Sequence, residues 1–330
     1  MSYAFEAEGL VKRYGRTTAL AGIDLQARRG TVLGVLGPNG AGKTTAIQIL
    51  ATLLVPDAGR ATVAGLDVVR DAARVRRKIG LTGQYATVDE DLTGAENLVL
   101  LGRLLDLTRT AARGRATELL AQLGLTEAGG LRVSAYSGGM RRRLDLAAGL
   151  IGRPEIVFLD EPTTGLDPGK REDLWATIRS LADDGATVLL TTQYLEEADA
   201  LADEITVIDK GRVIAHDTPA GLKQLVGGRT IVVRPTDPDQ LAAATRVVER
   251  VTGRPVDHQH RGALTTPVDA AQHFTDVVGA LESAEIDVAE LALRLPSLDE
   301  VFFSLTGMPG RTDVTGMTDV TDTTGTRESA

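Results

Sequence analysis

Hydrophobic and polar positions follow several different patterns along the first sixty residues. Apolar and polar residues alternate in the segments 5–15 and 19–27, and this spacing predicts two strands joined by a short turn. Residues 31–37 form a continuous run, TVLGVLG, which is typical of a strand buried on both faces. The segment TTAIQILATLL, residues 44–54, has helical spacing, and Pro56 ends the predicted helix. These elements indicate a β-rich start with one helix after a buried strand.

The middle of the chain changes to helical patterns and then alternates between strand and helix. Residues from about 85 to 150 carry apolar positions at helical spacing, and we expect a helical subdomain there. Its first helix places four leucines on one stripe: Leu98, Leu101, Leu104 and Leu105. Strand patterns return at 155–160 and 187–192, separated by a helical segment at 171–185. This alternation favours an α/β fold with a parallel sheet and crossover helices.

A change in composition near Gly227 and Gly228 predicts the end of the first domain. The segments that follow have strand and helix patterns in the order β-α-β-β-α-β, which is compatible with a small ferredoxin-like α+β unit. A last helix is expected to begin at Ser297, because SLDE is a capping box with Glu300 three residues further on. We therefore predict a first domain over 1–226 and a C-terminal extension over 228–307.

Residues 308–330 differ from the rest of the chain in composition. They are rich in Thr, Asp and Gly and contain no Leu, Ile or aromatic residue. Such a segment cannot bury enough apolar surface to offset the entropy of ordering it, so we predict a disordered tail.

Composition and charge exclude several classes of protein. The 330 residues carry 36 Lys and Arg against 45 Asp and Glu, a formal charge of −9, which gives no support for a role in coating nucleic acid. The chain has no cysteine, so disulfides, thiolate catalysis and cysteine-ligated zinc are excluded. Its apolar runs are far shorter than the ~18 residues needed to cross a bilayer.

The strongest chemical signal is GPNGAGKT, residues 37–44, which lies between a predicted strand and a predicted helix. It satisfies G-x-x-x-x-G-K-[ST], the motif of a loop whose backbone N–H groups surround a phosphate at a helix N-terminus. Lys43 would supply positive charge to the β- and γ-phosphates, and the Thr44 hydroxyl can ligate Mg²⁺. A glycine-rich turn without a ligand is the plain alternative. The candidate nucleotide-binding residues of this loop are Gly37, Pro38, Asn39, Gly40, Ala41, Gly42, Lys43, Thr44 and Thr45.

A second signal is EIVFLDEP, residues 155–162, in which two carboxylates follow an apolar strand. Asp160 could hold Mg²⁺ through water, and Glu161 would project toward the γ-phosphate, where it can polarise the attacking water as a general base. Taken alone, an Asp-Glu pair after a strand is a common surface turn. The phosphate loop earlier in the chain favours the catalytic interpretation.

A third signal, YSGGM at 136–140, places a serine and two glycines at the start of a predicted helix, another surface suited to an anion. Together with GPNGAGKTT before it and FLDEPTTGLD after it, this motif resembles the nucleotide-binding subunits of ABC transporters. The resemblance covers about residues 4–225. It implies an ABC-type P-loop NTPase fold with an antiparallel β subdomain and a helical subdomain, and ATP and Mg²⁺ as cofactors.

The resemblance also implies roles for residues that carry no clear signal of their own. Tyr14 matches the aromatic residue that stacks on adenine, and Gln84 matches the loop glutamine that contacts Mg²⁺ and the attacking water. Without the resemblance, these would be a packed strand aromatic and a solvated loop amide. The residues that match the dimer interface are Ser137, Gly138 and Gly139, which contact the γ-phosphate held by a second copy, and Asp167, which crosses the interface. The helices of 85–150 match the subdomain that docks on a transmembrane partner.

One position departs from the family pattern. After the strand TVLLTT the family usually has a histidine that contacts the γ-phosphate, whereas this chain has Gln193. An amide donates a hydrogen bond but cannot exchange a proton near neutral pH, which favours Glu161 as the base. The four histidines all lie downstream, at His216, His258, His260 and His273. The chain resembles the daunorubicin-resistance subgroup of drug-exporting ABC ATPases in three features: Gln193, YSGGMRRRLDLA and LDEVFFSLTG. Members of that subgroup carry a C-terminal extension like the one at 228–307.

The helix that follows YSGGM begins with a tight basic run, Arg141, Arg142 and Arg143. One interpretation is a solvated helix face in which the third arginine, Arg143, pairs locally. The other is a contact with the partner, or with nucleotide across the dimer.

These motifs predict the ATP-hydrolysing subunit of an ABC exporter that powers efflux of a hydrophobic drug or antibiotic. Two copies would enclose two ATP molecules and drive a separate membrane permease, with the subunit peripheral at the cytoplasmic face of the cell membrane and no nucleic acid as partner. The catalytic candidates are Lys43, Gln84, Glu161 and Gln193, and the metal candidates are Thr44, Gln84 and Asp160. A soluble ABC ATPase acting on ribosomes or DNA and an ATP-gated regulatory module stay open as alternatives.

Overall fold

The computed structural model describes residues 3–83, 88–225, 229–259, 262–268, 272–294 and 297–306. The elements as far as residue 150 are β1 (Tyr3–Tyr14), β2 (Thr17–Arg28), β3 (Val32–Leu36), α1 (Lys43–Leu50), β4 (Ala58–Val63), β5 (Leu66–Asp67), α2 (Ala72–Arg76), β6 (Ile79–Thr82), α3 (Gly94–Leu104), α4 (Arg109–Gln122) and α5 (Gly138–Leu150).

The elements of the second half begin with a short buried strand. They are β7 (Ile156–Asp160), α6 (Pro168–Asp183), β8 (Thr187–Thr192), α7 (Leu195–Leu201), β9 (Glu204–Asp209), β10 (Arg212–Asp217), α8 (Pro219–Leu225), β11 (Arg229–Pro235), α9 (Leu241–Thr252), β12 (Asp257–Gln259), β13 (Ala263–Val268), α10 (Gln272–Ser283), β14 (Val288–Arg294) and α11 (Leu298–Thr306). No helix in the described ranges has both the length and the apolar content needed to span a bilayer.

A six-stranded sheet forms the centre of the first part of the chain, in the order β10-β9-β3-β8-β7-β6. Its strands are parallel except β10, which pairs with β9 in the antiparallel direction. Every residue of β3, β7 and β8 is buried. For β3 this confirms the strand covered on both faces that its continuous apolar run predicts. Because the carboxyl ends of parallel strands meet at one edge, the loops after these strands gather there.

A second, antiparallel sheet of the order β2-β1-β4-β5 packs on the helix that follows the phosphate loop. Leu10 of this sheet, Ile47 of α1 and Phe158 of β7 belong to one buried core. Within it the rings of Phe5 and Phe158 meet edge to face, with their centroids 5.9 Å apart. The two sheets and α1 therefore form a single packed unit around the loop.

Two helical patterns run further than the helices themselves. The pattern at 44–54 predicts a helix to Leu54, but α1 ends at Leu50, and Thr52 turns the chain with a left-handed φ of 64°. The predicted leucine stripe is divided: Leu98 is fully buried, whereas Leu104 is 70% exposed. α3 ends at Leu104 and Asp106, with a φ of 65°, reverses the chain toward α4, so the last leucines of the stripe lie beyond the core.

Beyond α8 lies a separate antiparallel sheet of the order β12-β13-β11-β14. Its elements follow in the predicted order β-α-β-β-α-β. Ile231 of β11, Val248 of α9 and Val277 of α10 are buried in one core between this sheet and its two helices. The predicted boundary at Gly227 and Gly228 and the predicted tail lie outside the described residues, and both stay predictions.

The last helix, α11, packs on the first part of the chain. It begins at Leu298, directly after Ser297, as the capping pattern predicts. Leu298 and Val301 are 3% and 1% exposed and share a hydrophobic cluster with Leu36, Ala198 and Leu222, which come from β3, α7 and α8. The chain thus returns to the nucleotide-binding part after completing its third sheet.

Candidate nucleotide-binding site

The phosphate loop connects β3 to α1, and its shape requires glycine. Gly40 and Gly42 have φ values of 79° and 109°, which other residues rarely adopt. A Cβ on Gly42 would lie 2.5 Å from the carbonyl oxygen of Ala19, and one on Gly37 would lie 2.3 Å from that of Ile208. The loop borders a cavity of about 420 Å³ lined by Ala19, Asn39, Gly40, Ala41, Gly42, Lys43, Thr44, Thr45 and Glu161.

Lys43 brings a buried positive charge to this cavity. Its side chain is 5% exposed, and Nζ donates a hydrogen bond to the carbonyl oxygen of Gly37 at 2.8 Å. Burial lowers the pKa of Lys43, while the neighbouring charges of Glu161 and Asp160 oppose that change. Nζ lies 3.6 Å from Glu161 Oε1, so the ammonium and the carboxylate face each other across the site.

Asp160 lies at the end of β7 with oxygen donors around it. It is 3% exposed, and its Oδ1 accepts hydrogen bonds from Thr44 Oγ1 at 3.2 Å and from Thr191 Oγ1 at 2.6 Å. A carboxylate beside a hydroxyl is the kind of oxygen donor set that Mg²⁺ takes, together with water and phosphate oxygens. Thr191, a further residue of this site, was not predicted from the sequence. It is one of two threonines that end β8, and it lies at the position that pairs with Asp160.

Glu161 has a left-handed backbone that turns its carboxylate into the cavity. Its φ is 50°, a conformation that costs a residue with a Cβ roughly 1–2 kcal/mol. The backbone N–H donates to the carbonyl oxygen of Thr191 at 3.0 Å, which holds the turn against the neighbouring strand. A non-glycine residue held in such a conformation at the mouth of a cavity fits a site where orientation matters.

Ser137, Gly138 and Gly139 of the YSGGM motif lie at the start of α5, where Ser137 caps the helix. Ser137 is the N-cap, and its Oγ accepts a hydrogen bond from the backbone N–H of Met140 at 3.3 Å. A Cβ on Gly138 would meet no atom within 4 Å, so nothing in the described part of this chain requires glycine there. A Cβ on Gly139 would lie 3.1 Å from the side chain of Lys170.

Asp167 and Gln193 follow strands that end at the same edge of the sheet. Asp167 caps α6, accepting from the backbone N–H of Lys170 at 3.0 Å, and hydrogen bonds from Lys170 lower the pKa of the Asp167 carboxyl. Gln193 is exposed directly after β8. The next residue, Tyr194, packs its ring under Arg171, whose guanidinium carbon lies 4.5 Å from the ring centre.

Tyr14 is 48% exposed at the end of β1, so its ring is available to a ligand. It precedes the turn to β2, and Ala19 on β2 lines the cavity. Gln84 lies outside the described residues, and its role stays a prediction. The structure therefore brings Lys43, Thr44, Asp160 and Glu161 together.

The basic run on α5 makes contacts within the chain, and its predicted contact with a partner or with nucleotide across the dimer stays a prediction. Arg141 pairs with Glu90 at 2.8 Å, and Arg143 donates to the carbonyl oxygen of Leu123 at 3.0 Å. Arg142 turns inward and donates four hydrogen bonds to backbone carbonyl oxygens. All three are half-buried and engaged within the chain, so the run is not a solvated face, although Arg143 does pair locally as predicted.

Another cavity, of about 480 Å³, lies at the amino ends of β7 and β8, away from the phosphate loop. Glu118 at its wall pairs with Arg115 at 2.5 Å and with Arg153 at 3.1 Å. Its charged side chains are therefore engaged with one another. The smaller cavity at the phosphate loop is lined by Lys43, Thr44 and Glu161, and Asp160 accepts a hydrogen bond from the Thr44 hydroxyl at its wall.

Comparison with known proteins gives the same assignment as the motifs. The family model described as ABC transporter matches residues 20–164. The daunorubicin resistance ATP-binding protein DrrA2 of Streptomyces coeruleorubidus is 56% identical over 307 residues, which cover 92% of this chain and 95% of that protein. The linearmycin resistance ATP-binding protein LnrL of Bacillus subtilis is 36% identical over 92% of this chain and 98% of its own length.

Solved structures agree with the fold. An ATP-binding subunit of an ABC transporter matches with a TM-score of 0.62 and 25% identity, covering 67% of this chain and 92% of that one. An ATP-binding cassette solved as a dimer in a post-hydrolysis state with ADP and Pi matches with a TM-score of 0.60 and 25% identity, covering 65% of this chain and 98% of that one.

Proposed function

Since this chain belongs to the ATP-binding subunits of ABC transporters, in the daunorubicin-resistance subgroup, we propose that it powers export of a hydrophobic drug through a separate membrane permease. It is an ABC transporter ATPase. The observation that carries the mechanism is one cavity lined by Lys43, Thr44 and Glu161, with Asp160 hydrogen-bonded to Thr44 at its wall. The names of its relatives, given for resistance to daunorubicin, doxorubicin and linearmycin, support a drug-like cargo.

ATP binding begins with the triphosphate in the phosphate loop. The backbone N–H groups at the start of α1 and the Lys43 ammonium neutralise the β- and γ-phosphates. Thr44 Oγ1 and the Asp160 carboxylate are the candidate holders of Mg²⁺, which supplies charge neutralisation to the phosphoryl group when bound. Tyr14 is the candidate platform for adenine, because its ring is exposed at the end of β1.

Hydrolysis needs a group that orients and polarises a water molecule. The Glu161 carboxylate faces Lys43 and therefore lies next to the expected position of the γ-phosphate. It is the proposed general base, and Gln193 is the proposed hydrogen-bond donor to the γ-phosphate. Gln84 keeps its proposed role at the metal and the attacking water on the family resemblance alone.

A second copy of the chain is the proposed partner at the YSGGM motif, residues 136–140. ABC cassettes form dimers, including the post-hydrolysis cassette with ADP and Pi. The free space at Gly138, at a helix N-terminus, supports an incoming phosphate from another copy. Ser137, Gly139 and Asp167 are the other proposed interface residues.

The remaining parts of the chain are assigned by the same proposal. Residues 1–226 form the nucleotide-binding domain, with the helical subdomain at about 85–150 as the surface that docks on the permease at the cytoplasmic face of the membrane. The extension at 228–307 is assigned to the ferredoxin-like class, since its strand order β12-β13-β11-β14 and its β-α-β-β-α-β sequence of elements agree with that class.

The test is ATP hydrolysis by the purified chain and by membranes that also contain its neighbouring permease. Glu161→Gln should retain ATP binding and lose at least about 100-fold in kcat, because it removes the proposed base. Glu196→Gln, an exposed carboxylate on α7, is the matched control and should retain activity. Activity that rises with the permease and again with a hydrophobic drug supports export.

Two outcomes contradict the proposal. Strong hydrolysis that ignores the permease would favour a soluble ABC ATPase. Equal turnover by Glu161→Gln and wild type would remove Glu161 from the role of base.

A further inference from the structure

Arg142 reaches from α5 into the edge of the central sheet, and among the described residues its hydrogen bonds go to backbone oxygens. Nε donates to Pro162 O at 2.8 Å, and Nη1 donates to Gly83 O at 3.0 Å. Nη2 donates to Asp160 O at 2.9 Å and to Glu161 O at 2.7 Å. The guanidinium thus engages four carbonyl oxygens through all three of its nitrogens.

These oxygens share one location, the carboxyl ends of two adjacent strands. Asp160 ends β7, Glu161 and Pro162 follow it, and Gly83 comes directly after β6. β6 and β7 are parallel neighbours at the edge of the central sheet. One side chain from a helix therefore joins the turn that carries Glu161 to Gly83 at the end of β6.

The carbonyl of Glu161 belongs to the residue with the left-handed backbone. Its N–H is held by the carbonyl of Thr191, and its carbonyl oxygen is held by Arg142. The backbone on both sides of the Glu161 Cα is thus anchored to other elements. Because the direction of the Cα–Cβ bond follows from the backbone conformation, these two bonds fix the direction in which the Glu161 side chain leaves the turn.

We propose that Arg142 is a positioning residue for ATP hydrolysis, which aims the Glu161 carboxylate by holding the backbone of its turn. The inference rests on the proposed function, since it assigns Arg142 a role through the proposed base. Arg142 contacts carbonyl oxygens of the turn and acts through Glu161. The planar guanidinium of Arg142 suits four acceptors spread around it. A lysine ammonium carries its three hydrogens on a single nitrogen, so it cannot reach all four carbonyl oxygens.

Arg142→Lys therefore keeps the charge and loses the fork, and Arg143→Lys is its matched control on the same helix. Arg143 donates to a single carbonyl, that of Leu123 in the helical part. Single-turnover hydrolysis with enzyme in excess gives the rate of the chemical step, and a fluorescent ATP analogue gives Kd. We expect Arg142→Lys to lower the rate at least about tenfold with Kd changed less than about threefold, and Arg143→Lys to change neither by more than about twofold.

A double-mutant cycle separates positioning from general damage to the fold. In the Glu161→Gln background the base is already absent, so Arg142→Lys should lower the residual rate less than about threefold. A role confined to structure would lower the rate by the same factor in both backgrounds, and that result overturns the proposal. Activity of Arg142→Lys equal to that of Arg143→Lys overturns it as well.

A failure of the proposed function itself would be seen in other measurements. If wild type itself does not hydrolyse ATP, or if Glu161→Gln is fully active, the proposed function fails before Arg142 is tested. Should Arg142→Lys not accumulate as folded protein, Arg142→Gln is measured by the same criteria. Its amide supplies two donor hydrogens in place of the fork.

Discussion

Glu197 is a carboxylate buried completely in α7, within the nucleotide-binding part of the chain. Its Oε1 accepts a hydrogen bond from Trp175 Nε1 at 3.1 Å. Burial raises the pKa of Glu197, while the nearby hydroxyls of Thr192 and Thr163, the hydrogen bond from Trp175 and the charge of Arg171 oppose the rise. A raised pKa means that the folded state keeps a proton which the unfolded state has already released. Stability therefore falls as the pH rises from the unfolded value of about 4.5 through the raised value.

Glu197→Gln should remove this part of the pH dependence. The glutamine oxygen can still accept from Trp175, while the titration disappears. We expect the variant to gain stability relative to wild type as the pH rises from about 4.5 to 7, measured as the free energy of unfolding in urea. Glu196→Gln, exposed on the same helix, should follow the wild-type curve. Parallel curves for Glu197→Gln and wild type would contradict the assignment.

At the scale of elements, α3 illustrates how a local motif starts a helix. Thr93 is its N-cap, with Thr93 Oγ1 accepting from the Glu96 N–H at 3.1 Å and Glu96 Oε2 accepting from the Thr93 N–H at 2.9 Å. Both donors would otherwise lack a partner within the helix. This reciprocal pair fixes the first turn of the helical part.

Thr93→Ala should destabilise the protein by about 1 kcal/mol, since one capping bond is lost and the other loses its geometry. Thr117→Ala is the control. Thr117 lies inside α4, and its hydroxyl donates to the carbonyl of Arg113 on the same helix, so alanine there should be neutral or stabilising. Urea unfolding of both variants measures the difference. Equal losses would argue against a specific contribution from the cap.

Local patterns predicted most elements because their causes are local. The continuous apolar runs of β3, β7 and β8 and the glycines of the phosphate loop follow from burial and from backbone conformation. Arg142 could not be placed in this way, because its partners lie about 20 and 59 residues away along the chain. The exposure of Leu104 also depends on where the chain turns after α3.

At the scale of the whole molecule, α11 joins the end of the described chain to its nucleotide-binding part. Val301 is 1% exposed and packs in a cluster with Leu36 and Ala198. Leu36 ends the strand that leads into the phosphate loop, and Ala198 lies in the helix that follows Gln193. The third sheet lies between two chain segments that share one core.

Val301→Asp should therefore destabilise the nucleotide-binding part by on the order of 3 kcal/mol, because it buries an unpaired charge in that cluster. Asp299→Asn, on the exposed side of the same helix, should have little effect. Urea unfolding followed by the fluorescence of Trp175, which lies in α6, reports on this part of the chain. An unchanged transition for Val301→Asp would show that α11 contributes nothing to the stability of the nucleotide-binding part.

The return of α11 has a consequence for synthesis on the ribosome. At roughly 5–20 residues per second, Val301 is added about 4–16 s after Leu222, the last buried residue that the first part of the chain gives to this cluster. During that interval the cluster beside β3 lacks two of its buried side chains, Leu298 and Val301. Part of the interior of the first part of the chain therefore stays exposed to water until the ribosome has translated the whole third sheet.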